Sequence, residues 1–289
     1  MLHQRTIENS ITCSGIGVHS GKVVNLVLHS AKPNSGIKFI RSDLVDNNEI
    51  FVKYPNFISR GFSSTITNNL GANVDTVEHF MSALWFWNIT NLVIEIDGPE
   101  MPIMDGSAEY FLFLVESAGI LFQDAPIHTL DIAQEIIYKD GDKVIKASPE
   151  KGLVIDFHYS SDTSHNLLKD GNFVFSSTKM NFKYDISRAR TFSPIEQVEY
   201  LKKNNLAIGG SLLNALVIGN NGVENMEKLR YDNEHIRHKI LDCVGDFYLS
   251  GYHINGRFEC YKSGHQMNLK MLEKIFSSEE NYKIIIHEQ

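Results

Sequence analysis

The stretch Tyr231–Gly251, YDNEHIRHKILDCVGDFYLSG, has the periodicity of an amphipathic α-helix. Its apolar stripe, with spacings of three and four, comprises Ile236, Ile240, Cys243, Val244, Phe247 and Gly251. At about 100° per residue, an arc of about 80° on the opposite face carries His235, His238, Asp242 and Asp246. Imidazoles and short carboxylates replace the usual mixture of Lys and Glu, so this arc is a candidate functional site.

His238 and Asp242 are spaced i, i+4 and can bind one metal ion from successive helical turns. Spacing alone does not decide between His238 and His235. Two ligands do not complete a site, so the chain must supply a third. The alternative interpretation is the solvated polar face that most amphipathic helices have.

Residues 74–87, VDTVEHFMSALWFW, are predicted to form a helix that carries Glu78 and His79. Adjacent helical residues point about 100° apart, so one metal ion can take His79 while Glu78 reaches a water molecule beside that ion. With His238 and Asp242, this pair completes a His₂Asp set with an open fourth position, as in hydrolytic zinc sites. The alternative for His79 is a buried, hydrogen-bonded histidine.

Composition limits the class of protein. The chain has 289 residues, 43% of them apolar, and a net charge of −8, which argues against a nucleic-acid partner. Three scattered cysteines without a CxxC pair indicate reduced thiols. No apolar run approaches a membrane span. We therefore expect a cytoplasmic protein without stable membrane insertion.

The order of elements predicts an α+β fold with two layered sheet-plus-helix domains of similar topology. The domains are expected at residues 1–126, with the Glu78/His79 helix, and 127–289, with the metal-binding helix 233–251. A βαβ-like insert is expected at about residues 193–222. Other predicted strands include Ile37–Arg41, Leu92–Ile96, Leu130–Tyr138, Phe182–Ser187 and Leu212–Ile218.

Several further residues are candidates for substrate contact. His265 lies in a predicted glycine-bearing loop, Thr191 follows two arginines at a strand end, and Lys239 and Lys262 can pair with phosphate. Apolar residues of the insert that can line one channel are Ile195, Val198, Ala207, Leu212 and Val217. The alternatives are solvated surface groups for the polar residues and core packing for the apolar ones.

Six motifs together resemble one family over essentially the whole chain. They are TVEH (76–79), PIMDGSA (102–108), ISRARTF (186–192), GGS (209–211), RHKILDCVGD (237–246) and YKSGH (261–265). The sequence is similar to the zinc-dependent UDP-3-O-acyl-N-acetylglucosamine deacetylases, which commit Gram-negative bacteria to lipid A synthesis. The resemblance implies two α+β domains with the active site between them and an insert in each.

The resemblance also implies roles for individual residues. It implies His79, His238 and Asp242 as ligands of one Zn²⁺, Glu78 as general base, and His265, held by Asp246, as the protonated partner. Thr191 is implied as the oxyanion donor, and the other implied substrate contacts are Phe192, Lys239, Lys262, Gly210 and the five apolar residues of the insert. Tyr159 and Asp162 are candidates for contact with the uracil.

The implied reaction releases acetate and a free 2-amino sugar from an acylated UDP-GlcNAc, and a monomer is expected. Fe²⁺ is an alternative metal because an N₂O ligand set accepts both ions. The competing hypothesis from another class is a non-catalytic metal- or nucleotide-sugar-binding module of the same fold.

Overall fold

The computed structural model describes residues 3–160, 168–219, 222–226 and 228–287. The α-helices are α1 (Glu78–Trp87), α2 (Glu109–Ala118), α3 (Phe182–Asp185), α4 (Ile195–Lys203), α5 (Glu234–Tyr248) and α6 (His265–Phe276). The strands up to residue 126 are β1 (His3–Ile7), β2 (Ile11–Ile16), β3 (Val23–Ser30), β4 (Ile37–Arg41), β5 (Glu49–Phe51), β6 (Phe57–Ser59), β7 (Ser64–Thr67), β8 (Asn73–Asp75), β9 (Leu92–Ile96) and β10 (Ile120–Pro126). The later strands are β11 (His128–Ile132), β12 (Ile136–Asp140), β13 (Lys143–Ser148), β14 (Leu153–Tyr159), β15 (Gly171–Ser176), β16 (Phe192–Pro194), β17 (Leu216–Gly219), β18 (Gly222–Val223), β19 (His253–Tyr261) and β20 (Tyr282–Ile286). The fold is α+β, as the sequence predicts.

The first half of the chain builds a five-stranded sheet in the order β2-β3-β9-β4-β5. Alternation along β3 buries Val24, Leu26 and Leu28 on one face, which is the period-two pattern of a sheet with one covered face. Phe80 of α1 packs edge-on against Phe39 of β4, with ring centroids 6.2 Å apart. This packing fixes α1 over the sheet.

The second half builds a seven-stranded sheet around β19, which pairs with β11, β13 and β14. Helix α5 covers this sheet, and Phe247 of α5 stacks on Phe258 of β19 with ring centroids 4.3 Å apart. A separate small sheet, β16-β17-β18, carries α4. In the described part of the chain, no helix is long and apolar enough to cross a membrane.

Helices α1 and α5 cross in close contact, and this contact joins the two halves. A Cβ atom on Gly245 of α5 would lie 1.9 Å from the backbone oxygen of Glu78. Only glycine therefore permits this approach. As a result α5 is buried on its apolar stripe and on its polar arc alike, which contradicts the alternative interpretation of that arc as a solvated polar face.

Several predicted boundaries are wrong for identifiable reasons. Phe182–Ser187 was expected to be a strand, but Asn181 caps a short helix there by accepting a hydrogen bond from the Lys183 backbone N–H. The predicted strand Leu130–Tyr138 is two strands, β11 and β12, in the same sheet. The first helix begins at Glu78 rather than residue 74, because Asn73–Asp75 pairs with β7 instead.

The predicted division into two domains at residue 126 stays a prediction. Where the structure describes the chain, every pair of named strands lies wholly on one side of that residue. The small sheet β16-β17-β18 and α4 occupy residues 192–223, close to the insert predicted at 193–222.

We expect Gly245→Ala to destabilise the fold. Alanine has a higher helix propensity than glycine, which would stabilise α5 by about 1 kcal/mol. The added methyl group has no rotamer that moves it away from the Glu78 carbonyl oxygen. Overpacking costs about 1–3 kcal/mol and more where backbone must shift, so we expect a net loss of about 2 kcal/mol in the free energy of unfolding. Urea unfolding measures this loss. Gly171→Ala is the control, because its Cβ would meet only the tip of Ile236 at 3.4 Å; equal stability of the two variants would contradict the prediction.

Candidate metal centre and acid–base group

The start of α1 and the middle of α5 present their polar side chains to each other. Glu78 and His79 are the first residues of α1, and His238, Asp242 and Asp246 occupy successive turns of α5. All five are buried, with relative exposures of 0–4%. The close approach at Gly245 brings the two sets together.

His79, His238 and Asp242 form a compact group of possible metal ligands. One donor atom from each lies within 4.8 Å of the other two. Oδ1 of Asp242 is 3.6 Å from Nε2 of His79 and 3.3 Å from Nε2 of His238. The geometry thus joins the three residues predicted to be ligands.

The orientation of His238 suits a metal ligand. Its Nδ1 lies 3.0 Å from the backbone oxygen of Ala189, so the Nδ1–H tautomer donates to that carbonyl and leaves the Nε2 lone pair toward Asp242. Burial lowers the pKa of His238 to about 3, which keeps the imidazole neutral. A neutral imidazole held by a backbone carbonyl is the usual arrangement for a metal-binding histidine.

Asp242 carries a buried acceptor that lacks a donor. Oδ1 accepts no hydrogen bond from any described residue, whereas Oδ2 accepts one from Nζ of Lys239 at 2.8 Å. Burial alone raises the pKa of Asp242, but the positive charges around it, that of Lys239 among them, outweigh burial and hold that pKa well below its usual range. An ionised carboxylate oxygen that lacks a donor and lies between two imidazole rings is the environment that a cation satisfies.

Glu78, Asp246 and His265 form a second buried group beside the first. His265 Nδ1 donates to Oδ2 of Asp246 at 2.9 Å, and its Nε2 lies 3.6 Å from Oε1 of Glu78. Burial alone lowers the pKa of His265, but Asp246 and Glu78 raise it to about 9. Burial raises the pKa of Glu78 to about 7. Two opposed groups with pKa values near or above neutrality suit acid–base chemistry.

The sequence predicts that His265 lies in a loop, and this prediction is wrong. His265 is the first residue of α6. Gly264 precedes the helix in an extended conformation as its N-cap. The ring of His265 is thereby held by a helix, and its side chain is 93% buried.

Two buried neighbours of Asp246 were not identified from the sequence. Ser64 donates to Oδ1 of Asp246 at 2.5 Å, and Asn268 donates to Oδ2 at 2.8 Å. Ser64 lies in a short strand without a motif, so nothing in its surroundings marked it. Asn268 follows His265 at i, i+3, the spacing of neighbours on one helix face, and that spacing was the available signal.

The segment ARTF (189–192) borders the metal group. Ala189 accepts from His238, and the Phe192 ring lies 6.3 Å from the His238 ring. Between them, Thr191 is fixed through its backbone, which donates to Gly106 and accepts from Leu216. Arg190 and Glu234 form a buried ion pair at 2.9 Å that holds this segment to the start of α5.

The structure does not gather all predicted substrate contacts. Lys262 pairs with Asp142 at 2.7 Å near the surface, whereas Lys239 lies 5.7 Å from the Phe192 ring. Gly210 lies in the turn before β17, where its N–H donates to Ala207. The predicted channel residues are all partly or largely exposed on the insert: Ile195, Val198, Ala207, Leu212 and Val217.

His235, the alternative ligand left open by spacing, points elsewhere. Its Nε2 lies 3.2 Å from the backbone oxygen of Lys169, and its ring packs edge-on against Tyr159 at 4.7 Å. Tyr159 also packs edge-on against Phe192, with ring centroids 6.1 Å apart. Asp162, the other candidate for uracil contact, lies outside the described residues.

Comparison with known proteins assigns the family. The family model described as LpxC, UDP-3-O-acyl N-acetylglycosamine deacetylase, matches residues 4–277. The chain is 41% identical over 292 residues to a UDP-3-O-acyl-N-acetylglucosamine deacetylase of Pseudomonas entomophila (strain L48), which covers all of this chain and 95% of that protein. It is 38% identical over 289 residues to the protein of the same name from Shewanella pealeana (strain ATCC 700345 / ANG-SQ1), covering 100% and 94%. With matches of this extent, the chain belongs to the LpxC family of UDP-3-O-acyl-N-acetylglucosamine deacetylases.

Proposed function

We propose that this chain hydrolyses the acetamide of UDP-3-O-acyl-N-acetylglucosamine, releasing acetate and UDP-3-O-acyl-glucosamine for lipid A synthesis. The observation that carries the proposal is one buried group of ligand atoms in contact with a carboxyl and an imidazole suited to proton transfer. The family and the names of the relatives support the same reaction. Release of acetate from this substrate by purified protein tests it directly.

The ligand set supports one Zn²⁺ per chain, held by His79, His238 and Asp242. Two features fit a divalent cation: Oδ1 of Asp242 has no donor among the described residues, and the Ala189 carbonyl holds His238 with its Nε2 toward that oxygen. When bound, such an ion polarises the amide carbonyl and lowers the pKa of water. Fe²⁺ fits the same N₂O set.

The remaining residues divide the proton transfers between them. Glu78 accepts the proton of the attacking water through Oε1, and His265 protonates the leaving amine from Nε2. Asp246 accepts from Nδ1 of His265 and so favours the imidazolium. Thr191 donates to the oxygen that becomes negative in the transition state.

The substrate lies, in this proposal, between the metal group and the insert. Phe192 packs on it, while Lys239, Lys262 and Gly210 contact the sugar or diphosphate. The acyl chain follows the apolar residues Ile195, Val198, Ala207, Leu212 and Val217. Burying a long chain contributes about 0.8 kcal/mol per CH₂, which favours acylated substrate. We further propose a cytoplasmic monomer that binds no nucleic acid and is not stably inserted in a membrane.

Loss of one histidine should abolish metal binding while loss of its neighbour on the same helix should not. We expect His238→Ala to lose most of its bound metal because the group then keeps only two ligands. His235→Ala should retain it, because that ring contacts Lys169 and Tyr159 instead. Metal content per chain measures both, and equal loss in the two variants would mean that the wrong histidine was chosen.

Replacement of the proposed base should leave the metal group intact and stop the reaction. We expect Glu78→Gln to retain metal but to lose about 10²–10⁴ in kcat, the usual contribution of a general base. The control is Glu95→Gln, a half-exposed carboxylate on β9 that lies 3.6 Å from His29.

The competing mechanism makes His265 the base and Glu78 a supporting group. It predicts that the kcat of Glu78→Gln stays within about tenfold of the wild-type value, a smaller loss than the usual one for a general base. Under this mechanism His265→Gln is the inactive variant. A metal-loaded Glu78→Gln enzyme of that activity would reject our assignment. Protein that binds metal and substrate without releasing acetate would instead support the non-catalytic module.

A larger side chain in the insert should change the preferred acyl length. We expect each CH₂ buried by wild type to raise kcat/KM about fourfold, from about 0.8 kcal/mol per CH₂. Val217→Trp narrows the proposed passage. In this variant kcat/KM should therefore stop rising at a shorter acyl chain than in wild type. We prefer Val217 to Ala207 because Ala207 has φ +52°, where a large side chain adds backbone strain. Val45→Trp, at a 96% exposed position, is the control; an equal loss for all chain lengths would contradict the passage.

A further inference from the structure

Ser64 contacts both parts of the acid–base group although it lies far from them in sequence. It is fully buried at the start of β7. Its hydroxyl donates to Oδ1 of Asp246 at 2.5 Å and lies 3.4 Å from Nδ1 of His265. Its backbone N–H donates to Oε2 of Glu78 at 3.1 Å. One residue thus reaches the proposed base and the partner of the proposed acid.

The backbone of Ser64 also fixes where α1 begins. Its carbonyl oxygen accepts from the N–H of Val77 at 3.3 Å, and Val77 immediately precedes Glu78. The first N–H groups of a helix have no partner within the helix, and the side chain of Val77 forms no cap. The hydrogen bond to Ser64 gives one of these N–H groups a partner. The Ser64 backbone therefore holds Glu78 at both its helix turn and its carboxylate.

The hydroxyl of Ser64 completes the hydrogen bonds of Asp246. Oδ2 of Asp246 already accepts from His265 and from Asn268. Oδ1 accepts from Ser64, and Asp246 itself is 0% exposed. A carboxylate at this depth needs every acceptor satisfied, and three donors in different directions fix the plane that orients the His265 ring.

We propose that Ser64 is a positioning residue for the reaction, acting through Asp246 to set the direction of His265 Nε2 toward Glu78. The inference rests on the proposed roles of Glu78 and His265. Loss of the hydroxyl leaves Oδ1 of Asp246 without that donor and lets the carboxylate rotate. The ring of His265 then shifts relative to Glu78. The described hydrogen bonds of the Ser64 side chain go to Asp246 and His265 and not to His79, His238 or Asp242, so the proposed metal ligands should keep their contacts.

The test compares Ser64→Ala with Ser64→Thr and with Ser250→Ala. Ser250 is 1% exposed, and its hydroxyl donates to the backbone of Tyr252 rather than to the site. We expect Ser64→Ala to lower kcat about ten- to a hundredfold, the effect of one hydrogen bond to a charged group, with KM and metal content unchanged. Ser64→Thr keeps the hydroxyl and should restore kcat, and Ser250→Ala should match wild type.

A double-mutant cycle separates positioning from general structural support. If Ser64 acts through Asp246, Ser64→Ala should change kcat by less than about twofold in an Asp246→Asn background, the limit expected when the coupled partner is gone. The same loss in both backgrounds, or a Ser64→Ala kcat within about twofold of wild type, would overturn the inference. A fully active Asp246→Asn enzyme would instead reject the proposed roles of Asp246 and His265, and this inference with them.

Discussion

The close crossing of α1 and α5 is the constraint on which the site depends. At Gly245 the backbone of α5 lies against the Glu78 carbonyl, closer than any side chain permits. This separation lets His79 from one helix and His238 and Asp242 from the other place donor atoms within 4.8 Å. Each helix is also fixed to its own sheet, α1 by Phe80 and α5 by Phe247. The site is therefore as rigid as the two cores that carry it.

Burying so many charged groups is costly unless each one finds a partner. The protein meets this requirement for Asp246 with three donors and for Glu234 with Arg190 and the Arg230 backbone. Asp242 differs, because one of its oxygens has no donor among the described residues. Asp246 thus has all its acceptors satisfied by the protein, whereas Asp242 keeps one without a donor, and its proposed role as a ligand rests on that difference. Such exceptions are expected where a protein retains polarity for function.

The insert is joined to the rest of the fold by backbone contacts. Gly106 accepts from Thr191, and Gly209 donates to Val18 in the turn after β2. A Cβ on Gly209 would lie 2.2 Å from the Gly17 oxygen, so the small sheet is set tightly against the first half. Backbone contacts of this kind hold a segment without filling the space beside its side chains. Among the apolar side chains of α4 and β17, Ile195, Val198 and Val217 stay at least partly exposed, whereas Leu201, Leu216 and Ile218 are buried.

The sequence by itself determined the chemistry of the chain and the type of most elements. Periodicity identified α1 and α5, and the residue types on their polar arcs indicated metal and acid–base groups, because both signals are local. Helical spacing left open which histidine joins the cluster, and the family resemblance implied His238. Only the tertiary structure gives the physical reason: the Ala189 carbonyl orients His238 toward Asp242, whereas His235 contacts Lys169 and Tyr159. Ser64 and Asn268 became visible only there as well, since a hydrogen bond between residues 64 and 246 joins positions 182 residues apart and leaves no periodic pattern. Long-range contacts are set by the packing of complete elements, and that information is not contained in any short stretch of the chain.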